Sequence, residues 1–333
     1  MNDTKTLTEL VATLEIGTAA VAGNLALIPL LADHQATPAG RPGYLLYQQA
    51  QDMGLISIEE VSDSGAVSEL RVANRADRPV LLVEGEVLLG MKQTRVLNLT
   101  ILVAAHAILE VPVSCVESGR WRAVSEEATG KAAINLAPSV RAAKTVTVAR
   151  SMRSGRAFAS DQQAVWAGVD RVLDRHGAHA PSRSYAALTD GNALHLTGIA
   201  SSVELARGQV GVIACVSGRV ACVDVFEAPE VLASLWSGLV ASYQAEALMA
   251  DSMTSKPLGA RADATARRWF RSIAAGSASV GPDIGLGSHF TIVAPDLEAA
   301  ALVHSGQVVH LSAFPAHQAT SPTRFAPPAR RRS

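Results

Sequence analysis

Apolar and polar residues alternate along the first third of the chain. Runs of period two cover Gly23 to Leu31, Leu55 to Val61, Ser68 to Ala73, Val80 to Leu89, Arg95 to Val103 and Ile108 to Val116. Turn-forming clusters separate them, among them Arg41-Pro42-Gly43, Ser62-Asp63-Ser64-Gly65 and Asn74-Arg75-Ala76-Asp77-Arg78-Pro79. Successive strand side chains point to opposite faces, so this spacing predicts an antiparallel sandwich or curved sheet. Near Ser118-Gly119-Arg120-Trp121 the alternation stops, and Ala-rich, strand-poor sequence runs to about Asp190. Within it Val165, Trp166, Val169, Val172 and Leu173 recur at helical spacing behind Ser160 and Gln163, a capping-box pair, and Gly177 marks the exit.

The last third alternates strand and helix. Val210 to Val216 and Val220 to Phe226 flank Ser217-Gly218, a hairpin signal, and both faces of this hairpin are apolar, as a covered sheet requires. A helix is expected with Pro229 in its first turn and Leu232, Leu235, Trp236, Leu239 and Tyr243 along one face. A short helix over Arg267 to Ala274 and a Gly-rich loop from Gly276 to Ser288 lead into strands between His289 and Phe314 that turn at Ser305-Gly306. A shift of 88 lays Ser217-Gly218 on Ser305-Gly306, Val220 on Val308 and Phe226 on Phe314, which raises an internal duplication. The fold class expected is α+β. It comprises an antiparallel strand-rich part over 1–125, a mainly helical connection over 126–200, an α+β part with two similar hairpins over 201–318, and a disordered tail over 319–333.

Composition narrows the partners. With 48% hydrophobic and 18% charged residues, most of the chain has the apolar material for a core, which excludes disorder over most of its length. Lys+Arg 29 against Asp+Glu 30 leaves a net charge of -1, so no global field draws the chain to nucleic acid or an anionic membrane. Aromatics at 4% are too few for a stacked-base platform, and nucleic acid is not an expected partner. The apolar stretch from Gly17 to Ala32 is broken by Gly23, Asn24 and Pro29 and is too short to span a bilayer. Cys115, Cys215 and Cys222 form no C-x-x-C pair, which points to a reducing, cytoplasmic setting.

The densest charged stretch lies between apolar strands, from Val80 to Thr100. If Gly90 to Thr94 is a hairpin loop and Leu89 pairs with Arg95, then Glu84, Glu86, Asn98 and Thr100 share one face. Strand neighbours two apart lie about 7 Å from each other, close enough for Glu84 and Glu86 to grip one divalent cation or to divide acid and base roles. Lys92, Gln93 and Arg95 at the adjoining turn suit a phosphate or carboxylate, and Asn98, Glu117 and Arg120 join them as ligand-binding candidates. The competing reading is a half-exposed sheet with a solvated charged face. Gly85 removes a side chain between the two acids, as close approach of a backbone or ligand requires.

Cys115 with Trp121 just beyond it, and Asp224 at a strand end before a helix, are secondary candidates. Cys115 with His106 nearby suggests a nucleophile, with a buried spectator as the commoner outcome. Cys215 and Cys222 are expected diagonally across one hairpin face. His176-Gly-Ala-His179 lies in a loop without further zinc ligands, and the turn at Ser305-Gly306 sets His304 and His310 on opposite faces.

The run Leu82-Val-Glu84-Gly85-Glu86-Val-Leu-Leu-Gly90-Met-Lys92-Gln93-Thr-Arg95-Val-Leu-Asn98, followed by Val111-Pro-Val-Ser-Cys115-Val-Glu117-Ser-Gly-Arg120-Trp121, resembles a bacterial and archaeal family of proteins associated with ADP-ribosylglycohydrolases and rhodanese-phosphatases. Asp161-Gln162 before Trp166, Val223-Asp224-Val225-Phe226 and His310-Leu-Ser-Ala-Phe314 extend the similarity along nearly the whole chain. Met91 departs from it, where a small residue is expected. The resemblance implies no set reaction. It implies an enzyme acting on an ADP-ribose-like or nucleotide-derived ligand in a stress or conflict system, or alternatively a non-catalytic ligand-binding or scaffold module of an operon-encoded complex with a protein partner. Lys92, Gln93 and Arg95 would then hold the diphosphate while Glu84 and Glu86 work on the ribose or bind a bridging cation.

Overall fold

The computed structural model describes residues 2–32, 42–62, 68–129, 135–154, 158–178, 180–188, 203–250 and 257–316. The tail over 319–333 and His179 lie outside the described residues. The chain opens with helix α1 (Asn2–Thr13) and strands β1 (Glu15–Ile16), β2 (Ala20–Ala22) and β3 (Leu25–Leu31). The middle holds β4 (Leu45–Leu46), α2 (Tyr47–Asp52), β5 (Ile56–Glu60), β6 (Glu69–Asn74), β7 (Val80–Leu82), β8 (Val87–Gly90), β9 (Arg95–Leu97), β10 (Ile101–Val103), β11 (Ile108–Cys115), β12 (Ala128–Thr129), α3 (Pro138–Arg153) and α4 (Gln162–Arg175). Then come β13 (Gln209–Val216), β14 (Arg219–Phe226), α5 (Pro229–Met249), α6 (Ala260–Ser272), β15 (Ser277–Val280), β16 (Ser288–Ala294), β17 (Leu297–His304) and β18 (Gln307–Pro315). The architecture is α+β, with antiparallel sheets, helices in the middle and hairpins at the end.

A nine-stranded sheet runs β1-β3-β13-β14-β18-β17-β16-β15, with β2 also on β3. The first strands therefore pair with the last third of the chain, and the sheets do not divide at residue 125. Both faces of this sheet are covered, as the doubly apolar hairpin requires. One buries Ala26, Ile28, Ile213, Val223 and Leu311 under α1 and α6; the other buries Leu27, Val212, Phe226 and Phe314 under α5. The middle segment adds a three-stranded sheet, β10-β7-β4, and a six-stranded sheet, β12-β8-β9-β11-β6-β5.

The two hairpins share more than sequence. Ser217 and Gly218 have φ of 50° and 74°, and Ser305 and Gly306 have 51° and 76°, the left-handed pair that a two-residue turn demands. Each hairpin carries a bulge at the same place, where Cys215 faces Val220 and Ala214 faces Cys222, and where Val303 faces Val308 and Leu302 faces His310. The hairpins meet along β14 and β18, and Asp224 pairs with Ser312, its own counterpart under the shift of 88. A local two-fold axis thus passes between these residues. It extends outward, because β3 flanks β13 as β16 flanks β17, and β1 flanks β3 as β15 flanks β16. The segment 32–208 stands between β3 and β13 where the second half has only Pro295-Asp296.

The bulge also changes one expectation. Cys215 packs on the α1 side of the sheet and Cys222 on the α5 side, so the two thiols do not share a face. The helix behind Ser160 starts one residue later than the capping box implies. Asp161 is its N-cap and accepts from the backbone N–H groups of Gln163 and Ala164.

Candidate functional site

The charged hairpin is broken where its chemistry lies. Leu88 pairs with Arg95 and Leu82 with Ile101, one residue out of the expected register, and the two long runs split at Glu84-Gly85 and at Asn98-Leu99. The first run passes there from the three-stranded to the six-stranded sheet, and the second passes back. Glu84 and Glu86 consequently do not share a face. Glu84 turns into the core, whereas Glu86 folds back so that its Oε2 accepts the Val83 N–H at 2.7 Å. Gly85, at φ 86°, supplies the close approach expected of it, but what approaches is Arg141. A Cβ at Gly85 would lie 2.9 Å from Arg141 Nε.

Around Glu84 four elements converge on one buried polar cluster. Arg141 on α3 donates to Glu84 Oε2 through Nε (3.0 Å) and Nη2 (2.7 Å), and to both oxygens of Asp224 on β14 at 3.1 and 2.6 Å. Lys144, one helical turn on, pairs with Glu84 Oε1 at 2.6 Å and donates to the Asn98 carbonyl. The Tyr243 hydroxyl of α5 donates to Asp224 Oδ2 at 2.5 Å. His310 on β18 presents Nε2 to Asp224 Oδ1 at 3.5 Å, Nδ1 to Thr100 Oγ1 at 2.7 Å, and its ring to Phe226, 4.5 Å away and nearly parallel. All of these side chains are buried. The cluster sits on the pseudo-two-fold axis and joins the middle segment to the large sheet.

Its charges balance, two acids against two bases. Burial alone would raise the Glu84 carboxyl, but Arg141 and then Lys144 outweigh it and hold it below the usual range. Asp224 behaves likewise: burial is overcome by Arg141 and His310, and its pKa falls. Burial lowers Lys144 despite Glu84, and raises Tyr243 with help from Asp224. Glu86 lacks such partners. Burial, opposed only by the Val83 N–H, pushes its carboxyl up to about 7.

Beside the cluster lies a cavity of about 30 Å³, bordered by Glu84, Asn98, Thr100, Thr145, His289 and His310 among others. Thr145 Oγ1 and His289 Nδ1 have no hydrogen-bond partner. A cation bridging Glu84 and Glu86 does not fit this geometry, because Glu84 is already satisfied by Arg141 and Lys144 and Glu86 faces elsewhere. Among the described residues no group of three or more His, Cys, Asp and Glu converges as a metal site would require.

The remaining sequence candidates form a second, outer cluster. Arg120 spends its donors on both Glu117 oxygens, at 2.9 and 2.6 Å, and on the carbonyls of Gly90, Met91 and Arg122. Glu117 also accepts from the Thr94 N–H and hydroxyl; burial raises it, but Arg120 leads the contacts that keep its pKa low. Arg95 is fully buried, donates to Gln93 and lies 3.8 Å from Glu60. These four residues brace the β8–β9 loop from within. Trp121 stays outside, 45% exposed, with the Arg95 guanidinium 5.3 Å and the Lys92 ammonium 5.8 Å from its ring centroid. Asn98 donates to the Phe158 carbonyl and accepts from Ser114. It belongs to the inner cluster.

Cys115 does not meet His106. Cys115 ends β11 and His106 lies just before its start, the thiol is pushed up by burial, and His106 pairs with Asp77 at the surface. Both arms of the Gln162 amide instead bond the Cys115 peptide.

The chain matches the family model of the ARG and Rhodanese-Phosphatase-superfamily-associated Protein domain over residues 13–314. It belongs to that family. The match runs from the end of α1 to the last strand, so the large sheet and the middle segment are both part of the family domain. No curated protein and no solved structure matches the chain.

Within this family domain, sequence reasoning found Glu84, Asn98 and Asp224 but missed the residues that unite them. Arg141 and Lys144 lie three apart, on one face of a helix opened by Pro138, and Lys144 is one of only five lysines. That spacing was the available signal. Among the described residues no helix is long and apolar enough to cross a membrane.

Proposed function

We propose that this protein is a binding module for an ADP-ribose-like or other nucleotide-derived ligand, with the loop face at Trp121 as the contact surface. The carrying observation is the half-exposed indole with the Lys92 ammonium beside it. Such a ring offers a π-surface to a base while the neighbouring ammonium suits a phosphate. The Arg120–Glu117 pair and Gln93 hold the loop in place before any ligand arrives, which lowers the cost of binding. The family's association with ARG and rhodanese-phosphatase proteins directs the choice of ADP-ribose. The paired-carboxylate enzyme has less support, because Glu84 is neutralised in the core and Glu86 faces a different neighbourhood.

The test is a titration of the full chain with ADP-ribose and with ADP, followed by tryptophan fluorescence and thermal melting, with the ligand recovered and analysed by chromatography. Saturable quenching, a raised Tm and unaltered ligand are expected. Trp121→Ala should weaken binding at least about tenfold, as loss of one stacking contact does. Equal binding by that variant, or no saturable change, overturns the reading; consumption of the ligand would restore the enzyme alternative.

A further inference from the structure

Thr100, His310 and Asp224 stand in the order of a hydroxyl nucleophile, its base and the acid that orients the base. The carboxylate of Asp224 lies 3.5 Å from His310 Nε2, without a hydrogen bond but close enough for its charge to favour the ring proton on that side, so that Nδ1 would carry the lone pair and the Thr100 hydroxyl donate to it across 2.7 Å. The 3.5 Å contact between His310 and Asp224 is long, as such contacts often are before a substrate is bound. Stacking on Phe226 holds the ring, and the Glu84 N–H donates to Thr100 Oγ1 at 3.0 Å, which turns the hydroxyl proton toward His310.

Thr100 and His310 also border the same cavity. His289 Nε2 bonds the Thr100 carbonyl, which only accepts, so Nε2 carries the hydrogen and the unpartnered Nδ1 is an acceptor. Thr145 contributes an unpartnered hydroxyl to the same lining. Both side chains are at least nine-tenths buried. Buried polar atoms are normally paired, so a free donor and a free acceptor beside an oriented hydroxyl mark a place for a small polar guest.

We propose that Thr100 is an activated hydroxyl that accepts a compact acyl or sulfonyl group, with His310 as its base and Asp224 as a positioning residue. Thr100 Oγ1 forms a bond to the electrophilic carbon or sulfur, and its proton passes to His310 Nδ1. The bond to the leaving group then breaks, and that group departs with the electron pair and takes the proton from His310. The Thr145 hydroxyl is the donor placed for the oxygen that gains charge. The cavity of about 30 Å³ admits the methyl or one oxygen of such a group and no more, which limits the substrate class to the smallest activated acyl and sulfonyl compounds, with the leaving group outside it. None of this depends on the Trp121 face.

The experiment treats the full-length folded protein with methanesulfonyl fluoride and follows intact mass and peptide mapping across pH. One adduct on Thr100 is expected, forming faster as pH rises until it levels off, which a structural hydroxyl would not show. His310→Asn keeps an acceptor for the Thr100 hydroxyl but no base, and should slow labelling about a hundredfold. Circular dichroism confirms that the variant is folded; if it is not, the wild-type adduct position and pH profile decide. Absence of an adduct on Thr100, adducts elsewhere only, a pH-independent rate, or a folded His310→Asn that labels at the wild-type rate would each overturn the proposal.

Discussion

Glu86 shows how burial without a charged partner sets a side chain's chemistry. Its carboxyl is raised from its ordinary value to about 7, so the folded state holds its proton between roughly pH 4.5 and 7 while the unfolded chain releases it. Stability from this group is complete below the unfolded value and is lost as pH rises through 7. The full effect is of order 3 kcal/mol. Glu86→Gln should therefore melt higher than wild type above pH 7 and about equally near pH 4.5, as thermal melts across that range would read. Glu84, two residues away, has the opposite sign. Its pKa is lowered by Arg141 and Lys144, so its contribution is present above the ordinary carboxylate range and is lost in acid. Gly85 between them has a third role. Gly85→Ala would strain a φ of 86° and press on Arg141, and a loss of about 1–3 kcal/mol in denaturant unfolding is expected.

At the scale of elements, the strands were legible wherever alternation met turn residues. The six apolar runs all became strands, the Ser217-Gly218 and Ser305-Gly306 hairpins formed, and Pro229 opened its helix. What periodicity could not give was the break within a run. Val80 to Leu89 and Arg95 to Val103 each continue the two-residue pattern through a point where the chain changes sheets, because Glu84-Gly85 and Asn98-Leu99 are satisfied by groups remote in sequence. A one-residue register error then sufficed to place Glu84 and Glu86 together. Helix α3 was hidden for a different reason. It is buried on several sides, so Pro138–Arg153 lacks the one-sided apolar stripe that announces a surface helix, and nothing in the local pattern singles out Arg141 and Lys144. Arg95, Glu117 and Arg120 were legible as a charged group, but a sequence cannot say whether such charges wait for a ligand or have already found one another.

The whole molecule is a pseudo-symmetric sheet with a long segment set into its first half, and the buried ion cluster is the main polar tie between them. Glu84, Arg141 and Lys144 come from the segment; Asp224 and His310 come from the sheet and Tyr243 from the helix that covers it. The axis explains the placement. Asp224 and Ser312 are counterparts at the centre of the sheet, as are Cys222 and His310, and only one of each pair carries the acid or the imidazole. Symmetry brings two strands together, and divergence across it makes room for a single guanidinium. Removing one partner of a buried ion pair costs about 3–5 kcal/mol, because the other charge stays buried without compensation. Asp224→Asn leaves Arg141 tied to Glu84 on its own side but severs the charged link across to the sheet. Calorimetry of the wild type should show one unfolding transition. The variant should melt at lower temperature and in two steps, the sheet and the inserted segment no longer unfolding as one unit. A single transition at the wild-type Tm would mean that apolar packing alone couples the two parts, and that the cluster is retained for chemistry rather than cohesion.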